Sequence, residues 1–374
     1  VSIRLDPTFL PDLAKYGAGD ISACFHCGNC TAVCTLSEDG ASFPRKIIRL
    51  GQLGARSELL GAAEPWLCFA CGECSRTCPR QAEPAEFMAS LRRWQTAQLD
   101  PTGMGRLWFK VPAFALLLTL ALGVLFGTLM VTMKGGPAVP QWLFGGTVAY
   151  ETIHHVGMAV GGLLVAILAA SFILLVKRSG VPALLKGRKP LAALAWLGAE
   201  IFSMKRQADC ESAPAERVPL HRNARLVHMA MMWGFVGLGV ATSLDFLFIY
   251  FLGFASFWPA RAIGTVAGAV MLWGVTAAIL RRFTDPGAGT RHTRFADVWV
   301  LAFLWVLAVT GFWLEVVVTL RTRGAINDWV LVLHAAMAME FVLLFGMTKM
   351  AHVLVRPFML LKYKLERTPL EAGD

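Results

Sequence analysis

The chain has 374 residues, 56% of them hydrophobic, a mean hydropathy of +0.56 and a formal net charge of +10. The apolar content is not spread evenly: the first hundred residues have ordinary soluble character and the remainder does not, which predicts two modules, 1–104 and 105–374. Nucleic-acid binding, the other common meaning of a basic chain, is set aside because the Lys and Arg residues sort by loop, as described below.

The opening stretch VSIRLDPTFLPDLAKYG is polar and proline-punctuated and is not expected to act as a cleavable signal. CFHCGNCTAVC follows at 24–34 and CFACGECSRTCP at 68–79, each a C-x2-C-x2-C-x3-C run. Three cysteines at that pitch wrap one face of an iron–sulfur cubane, and in two-cluster ferredoxin-type folds the fourth serves the other cluster. The expected ligand sets are therefore Cys24, Cys27, Cys30 with Cys78, and Cys68, Cys71, Cys74 with Cys34, for two [4Fe-4S] clusters. Structural zinc needs only four ligands and would leave the triple repeat without a purpose. Disulfides fit worse, since cysteines two residues apart rarely meet the bond's geometry. Thiolates at this density imply a reducing compartment, hence the cytoplasm.

From Leu107 onward six apolar runs reach the ~20 residues a bilayer crossing needs, at about 107–132, 155–176, 226–251, 258–281, 295–320 and 329–355. The shorter LAALAWLGAEIFSM at 191–204 reads as an amphipathic surface helix. Loop 177–225 holds ten Lys and Arg, loop 281–294 four and the tail from 356 four, against four in all the alternate loops together. The positive-inside rule then puts the cysteine module and the C-terminus on the cytoplasmic side.

Histidines inside such spans are costly and are functional candidates. His154 and His155 open the second span, His228 opens the third, and His334 and His352 bracket the sixth. Eighteen residues of continuous helix would be five turns, about 27 Å, and would turn His334 and His352 to one side. Bis-histidine pairs between facing helices hold b-type haem. The expected pairs are His334 with His155 at the outer level, His154 being the alternative, and His352 with His228 at the inner level. His221 and His292 lie in basic loops and read as solvated. Glu151, His154, Asp245, Glu315 and Glu340 are the candidates for a quinone site near the outer haem. Glycine pairs Gly123/Gly127, Gly157/Gly161 and Gly264/Gly268 read as close helix packing.

On these residues a resemblance can be stated. CFHCGNCTAVCTLSEDGASFPRKIIRLGQLG and WLCFACGECSRTCPRQAEPAEFMASLR resemble the iron–sulfur subunit of heterodisulfide reductases. The part from about 140, above all LHAAMAMEFVLLFGMTKMAHVLV, is similar to the cytochrome b (gamma) subunit of respiratory nitrate reductase, with His334 and His352 on that family's last-helix haem ligands. The order of modules resembles the membrane, QmoC-type, subunits of quinone-interacting membrane-bound oxidoreductase complexes. In one respect the chain departs from the cytochrome pattern: ten residues beyond His228, where a second ligand is expected, stands Leu238.

The resemblance implies an all-α fold, a ferredoxin-like two-cluster helical domain followed by a six-helix cytochrome b bundle, in a bacterial or archaeal cytoplasmic membrane. It implies exchange of electrons with menaquinone or another quinone through two haems b and two [4Fe-4S] clusters. The implied partners are soluble flavin- and iron–sulfur-containing subunits, QmoA- and QmoB-like, and beyond them adenylylsulfate reductase, with membrane lipid around the bundle and no nucleic acid. The chain has no G-x-G-x-x-G flavin or nucleotide fingerprint of its own.

Overall fold

The computed structural model describes residues 4–19, 21–37, 42–133, 147–184, 190–210, 219–254, 257–284 and 293–367, so His292 lies outside the described residues. Among these there are helices and no β-strand. Nine helices matter for function: α1 (Pro84–Leu99), α2 (Pro112–Thr132), α3 (Tyr150–Ser179), α4 (Pro190–Ser203), α5 (Ala224–Asp245), α6 (Trp258–Thr284), α7 (Phe295–Leu320), α8 (Ala325–Leu344) and α9 (His352–Arg367).

The cysteine module folds around α1, whose Phe87, Met88, Leu91 and Trp94 are fully buried with Phe9, Leu13, Ile47, Ile48 and Leu59. Cys24, Cys34, Cys68, Cys74 and Cys78 pack against this core, so the thiols are anchored to rigid apolar side chains although all but Cys74 stand on loops.

Among the described residues, six helices are long and apolar enough to cross a membrane: Pro112–Thr132, Glu151–Ser179, Ala224–Phe251, Trp258–Thr284, Phe295–Leu320 and Ala325–Met347. Large apolar side chains face outward along them, among them Leu117, Val124, Val165 and Val266, as a lipid-facing surface requires. The first span starts later than the apolar run, because Pro112 opens a new helix after the break at Val111. The last one ends earlier. Phe345–Met347 and Lys349–Ala351 are 3₁₀ turns separated by Thr348 in an extended conformation, and α9 begins afresh at His352. His334 and His352 therefore stand on two helices, and the expectation of one unbroken helix with both rings on one face is corrected.

Helices α5 and α6 touch backbone to backbone. A β-carbon on Gly234 would lie 2.7 Å from both the Ala267 oxygen and the Met271 nitrogen, and one on Gly274 would lie 2.9 Å from the Met231 nitrogen. Only glycine permits that approach, which is how small residues stabilise helix pairs in lipid. The amphipathic helix α4 packs Ala193 with Leu365 of α9 and exposes Leu191, Leu194 and Phe202.

The two modules are joined by buried charge. Arg93 of α1 bonds Asp297 at the start of α7 (3.2 Å) as well as Glu86 (2.8 Å) and the Tyr16 carbonyl (3.0 Å). Lys349, between α8 and α9, bonds the other oxygen of Asp297 at 2.6 Å. Burial works against the Arg93 charge, but the two acids outweigh it and raise the pKa. Trp108 seals the seam edge-on against Trp299, 4.9 Å between centroids.

Candidate functional site

The two cysteine runs adopt one backbone shape. His26 and Ala70, in the same place in each run, have φ of 60° and 56°, and Gly28 and Gly72 have φ of 88° and 81°. Each glycine turns the chain into a short helix, Asn29–Ala32 or Glu73–Arg76, that carries the third cysteine. The two loops are tied by Asn29, whose amide donates to the Thr77 carbonyl at 2.6 Å. Gln52 donates to the carbonyls of Ile21 (3.0 Å) and Cys24 (3.1 Å) and bonds His26, bracing the first loop.

The thiols of the two runs lie close enough to act on one another, Cys30 on Cys74 as well as within each run. Burial raises the Cys30 pKa, and Cys24, Cys27 and Cys78 add to the rise. Burial likewise pushes Cys34 up to about 11, with Cys68 and Cys71 adding to it, and raises Cys74 further, beside Cys68, Cys71 and Cys34. Crowded thiols that resist a second negative charge are a fitting site for a cationic iron core, which removes that penalty. A cavity of about 80 Å³ is lined by Cys34, Cys68, Cys71 and Cys74, with Leu36, Phe43 and Met88 as apolar walls. Among the described residues no three His, Cys, Asp or Glu side chains converge on a single ion. Thiols set around a cavity suit a multi-iron body instead.

In the bundle, His228 of α5 and His352 of α9 face each other with ring centroids 6.3 Å apart and planes at 67°. Two imidazole nitrogens each about 2 Å from one metal ion would put their centroids roughly 6 Å apart. His352 Nδ1 lies 2.8 Å from the Lys349 carbonyl, a bond that leaves Nε2 as the free nitrogen, and His228 Nδ1 is buried without a hydrogen-bond partner among the described residues. The 3₁₀ turn before α9 is what presents that carbonyl, so the break in the last span serves the ring.

His334 is oriented in the same manner. Thr310 gives its hydroxyl proton to the Val306 carbonyl (2.7 Å), so at 2.8 Å from His334 Nδ1 it accepts, and Nε2 is left free. Gly311 makes room for the ring, since a β-carbon there would stand 3.2 Å from His334 Cε1. Its expected partner, His155, is exposed, on the stripe of α3 that also exposes Met158, Leu163 and Val165. His154 instead lies on the side of Gly157, Leu164 and Leu168, which meet Met339 and Gly346. Its ring stacks on Tyr250 (4.6 Å, 7°) and Phe246 (5.7 Å, 12°). Of the adjacent pair, the structure turns His154, the alternative, inward and leaves His155, the first choice, on the exposed stripe.

The candidate acids divide. Asp245 is half-buried and lies near His154. The segment after it, Phe246–Phe251, is π-helical, a local rewinding that recurs at functional sites. Glu151 lies one turn before His154 and is half-buried. Glu315 is held by Arg261 at 2.9 and 3.1 Å, clamping α7 to α6, and reads as structural. Glu340 is 1% exposed, with Oε1 lacking a hydrogen-bond partner among the described residues, and is enclosed between α8 and α2 near Gly123. An aromatic cluster of Phe235, Phe341, Phe345, Trp299 and Phe303 fills the space between the His334 and His352 levels.

A protein-family model described as a 4Fe-4S dicluster domain matches residues 20–82, the segment that holds all eight of these cysteines. No curated protein and no solved structure matches the chain. The cysteine module is an iron–sulfur domain, and it precedes a helical bundle with six helices of membrane-crossing length and composition. That combination is an electron-transfer protein of the membrane.

Proposed function

We propose that the chain exchanges electrons between a membrane quinone and soluble redox partners, by way of two haems b and two [4Fe-4S] clusters. The observation that carries the bundle half of this reading is the facing pair His228 and His352, at a separation suited to one shared iron and with His352 oriented through Nδ1. His334, oriented through Thr310, would hold the second haem, with His154 of α3 as its proposed second ligand. Cys24, Cys27, Cys30 and Cys78 would ligate one cluster, and Cys68, Cys71, Cys74 and Cys34 the other. When bound, these groups supply one-electron carriers at successive depths.

The chain's own residues do the rest. Tyr250, Phe246 and Asp245 offer two aromatic faces and a carboxylate at the outer end of the bundle, suited to a quinone ring and to the proton that accompanies each electron. Glu151 stands on the same end. Glu340, shut inside the bundle, is not at that site. Apolar side chains between the histidine levels exclude water. By the resemblance described above, the quinone is menaquinone or a relative, and the cluster domain faces the cytoplasm. There it would serve QmoA- and QmoB-like flavin and iron–sulfur subunits and, through them, adenylylsulfate reductase.

The test is an anaerobic optical spectrum of the purified protein before and after dithionite, with haem and iron assays. We expect a b-type alpha band, two haems and about eight non-haem irons per chain. The His352→Ala variant should keep the irons and lose one haem. A colourless protein containing zinc would sink the proposal.

A further inference from the structure

Phe25 and Phe69 occupy the same place in two loops of the same shape, yet their surroundings differ. Phe25 is 59% exposed. Phe69 lies under the guanidinium of Arg356, 4.9 Å from ring centroid to Cζ. Arg356 stands on α9 one turn beyond His352, and its Nε is buried without a hydrogen-bond partner among the described residues. Arg92 closes the same seam, donating to the carbonyls of Cys68 at 2.7 Å and Pro65 at 3.2 Å. The charged groups around Arg356 are Arg92, Arg206, Glu200 and the Cys68 sulfur, and those around His352 are Lys349, Arg356 and Arg92. Cations outnumber anions there. A buried guanidinium in that setting calls for an anion, and a core held by four thiolates is one.

We propose that Arg356 and Phe69 form the junction between the His228–His352 pair and the cluster held by Cys68, Cys71, Cys74 and Cys34, and that Arg356 raises that cluster's reduction potential. This rests on the proposed function and adds an order to it: the Cys68 group stands next to the bundle, and the Cys24 group, with Phe25 in the open, stands farther along. An electron crossing the junction would leave the haem that His228 and His352 would hold, oxidising it by one, and enter the cluster that Cys68, Cys71, Cys74 and Cys34 would hold, reducing it by one, with no bond or proton moved. A positive charge against Cys68 stabilises the reduced cluster, which carries the extra negative charge. Arg356 is a positioning and tuning residue; it ligates nothing.

The experiment is an EPR-monitored redox titration of the full chain in detergent, wild type against Arg356→Gln and Arg356→Lys, with haem and iron contents measured alongside. The Cys71→Ser and Cys27→Ser variants mark which EPR signal belongs to which cluster, since each exchanges one ligand. Arg356→Gln should lower the midpoint of the Cys71-marked cluster by at least tenfold in its one-electron equilibrium, about 59 mV, and leave the other in place. Arg356→Lys keeps the charge and loses the flat contact with Phe69, so its midpoint should hold while reoxidation of the haem by the cluster slows several-fold. Unchanged midpoints in Arg356→Gln, or a shift confined to the Cys27-marked cluster, would overturn the proposal. If Arg356→Gln does not assemble, Arg356→Lys decides alone, a wild-type reoxidation rate counting against the junction. Failure of the underlying reading looks different: wild-type protein without haem or iron.

Discussion

Gly234 and Gly161 are both helix glycines in apolar spans, but only one of them is in a tight place. A β-carbon on Gly234 would meet backbone atoms of α6 at 2.7 Å, whereas one on Gly161 would have nothing within 4 Å. Gly234→Leu should therefore destabilise by about 1–3 kcal/mol as overpacking and, by pushing α5 off α6, move His228 away from His352. Gly161→Leu should stay within about 0.5 kcal/mol. Thermal denaturation and haem content of the two variants check the contrast; equal losses would mean that α5 is not set by α6. Spacing alone picked out Gly161 and passed over Gly234, because a four-residue repeat says that two glycines share a face but not whether a neighbour occupies it. The cysteines were legible for the opposite reason. Their spacing is itself the coordination geometry, whereas Arg356 and Arg92 act through contacts hundreds of residues or several turns away and look in sequence like ordinary positive-inside charge.

At the scale of the element, hydropathy located all six long helices, since bilayer thickness sets a length that composition must fill. The interruption of the last one was hidden, because LLFGMTKMAHVLV stays apolar on average and only Gly346, Thr348 and Lys349 hint at a break. Thr348 is fully buried, and its hydroxyl accepts from the Met350 amide at 3.4 Å, beginning the 3₁₀ turn whose Lys349 carbonyl orients His352. Thr348→Val removes that oxygen at nearly constant volume. The loss of a cap of this kind costs about 1 kcal/mol, and because the turn is the support of one ring, we expect the haem proposed at His228 and His352 to drop in occupancy while the one proposed at His334 does not. Low-spin haem EPR, which separates the two centres, reads this directly. A uniform loss of both signals would argue that Thr348 supports only the general fold.

On the scale of the whole molecule, the seam between the modules depends on Arg93 more than on Asp297, although the two are paired. Their side chains are only 11% and 9% exposed, and Glu86, the other partner of Arg93, is 10% exposed. Arg93→Met would leave Glu86 without a cation and Asp297 with Lys349 alone, and stranding a buried charge in this way costs about 3–5 kcal/mol. Asp297→Leu is the milder lesion. Arg93 then keeps Glu86 at 2.8 Å, and Lys349, with a side chain 48% exposed, turns to water. Denaturant unfolding followed through cluster absorbance should place Arg93→Met well below Asp297→Leu, and both below wild type. Haem reoxidation by the clusters should slow in the same order, since the seam that holds α1 against α7 also holds Arg92 beside Cys68 and Lys349 beside His352. If Asp297→Leu cost as much as Arg93→Met, the seam would be a simple pair, and the alignment of the two modules would have to come from the apolar contacts of Trp108 and α9 instead.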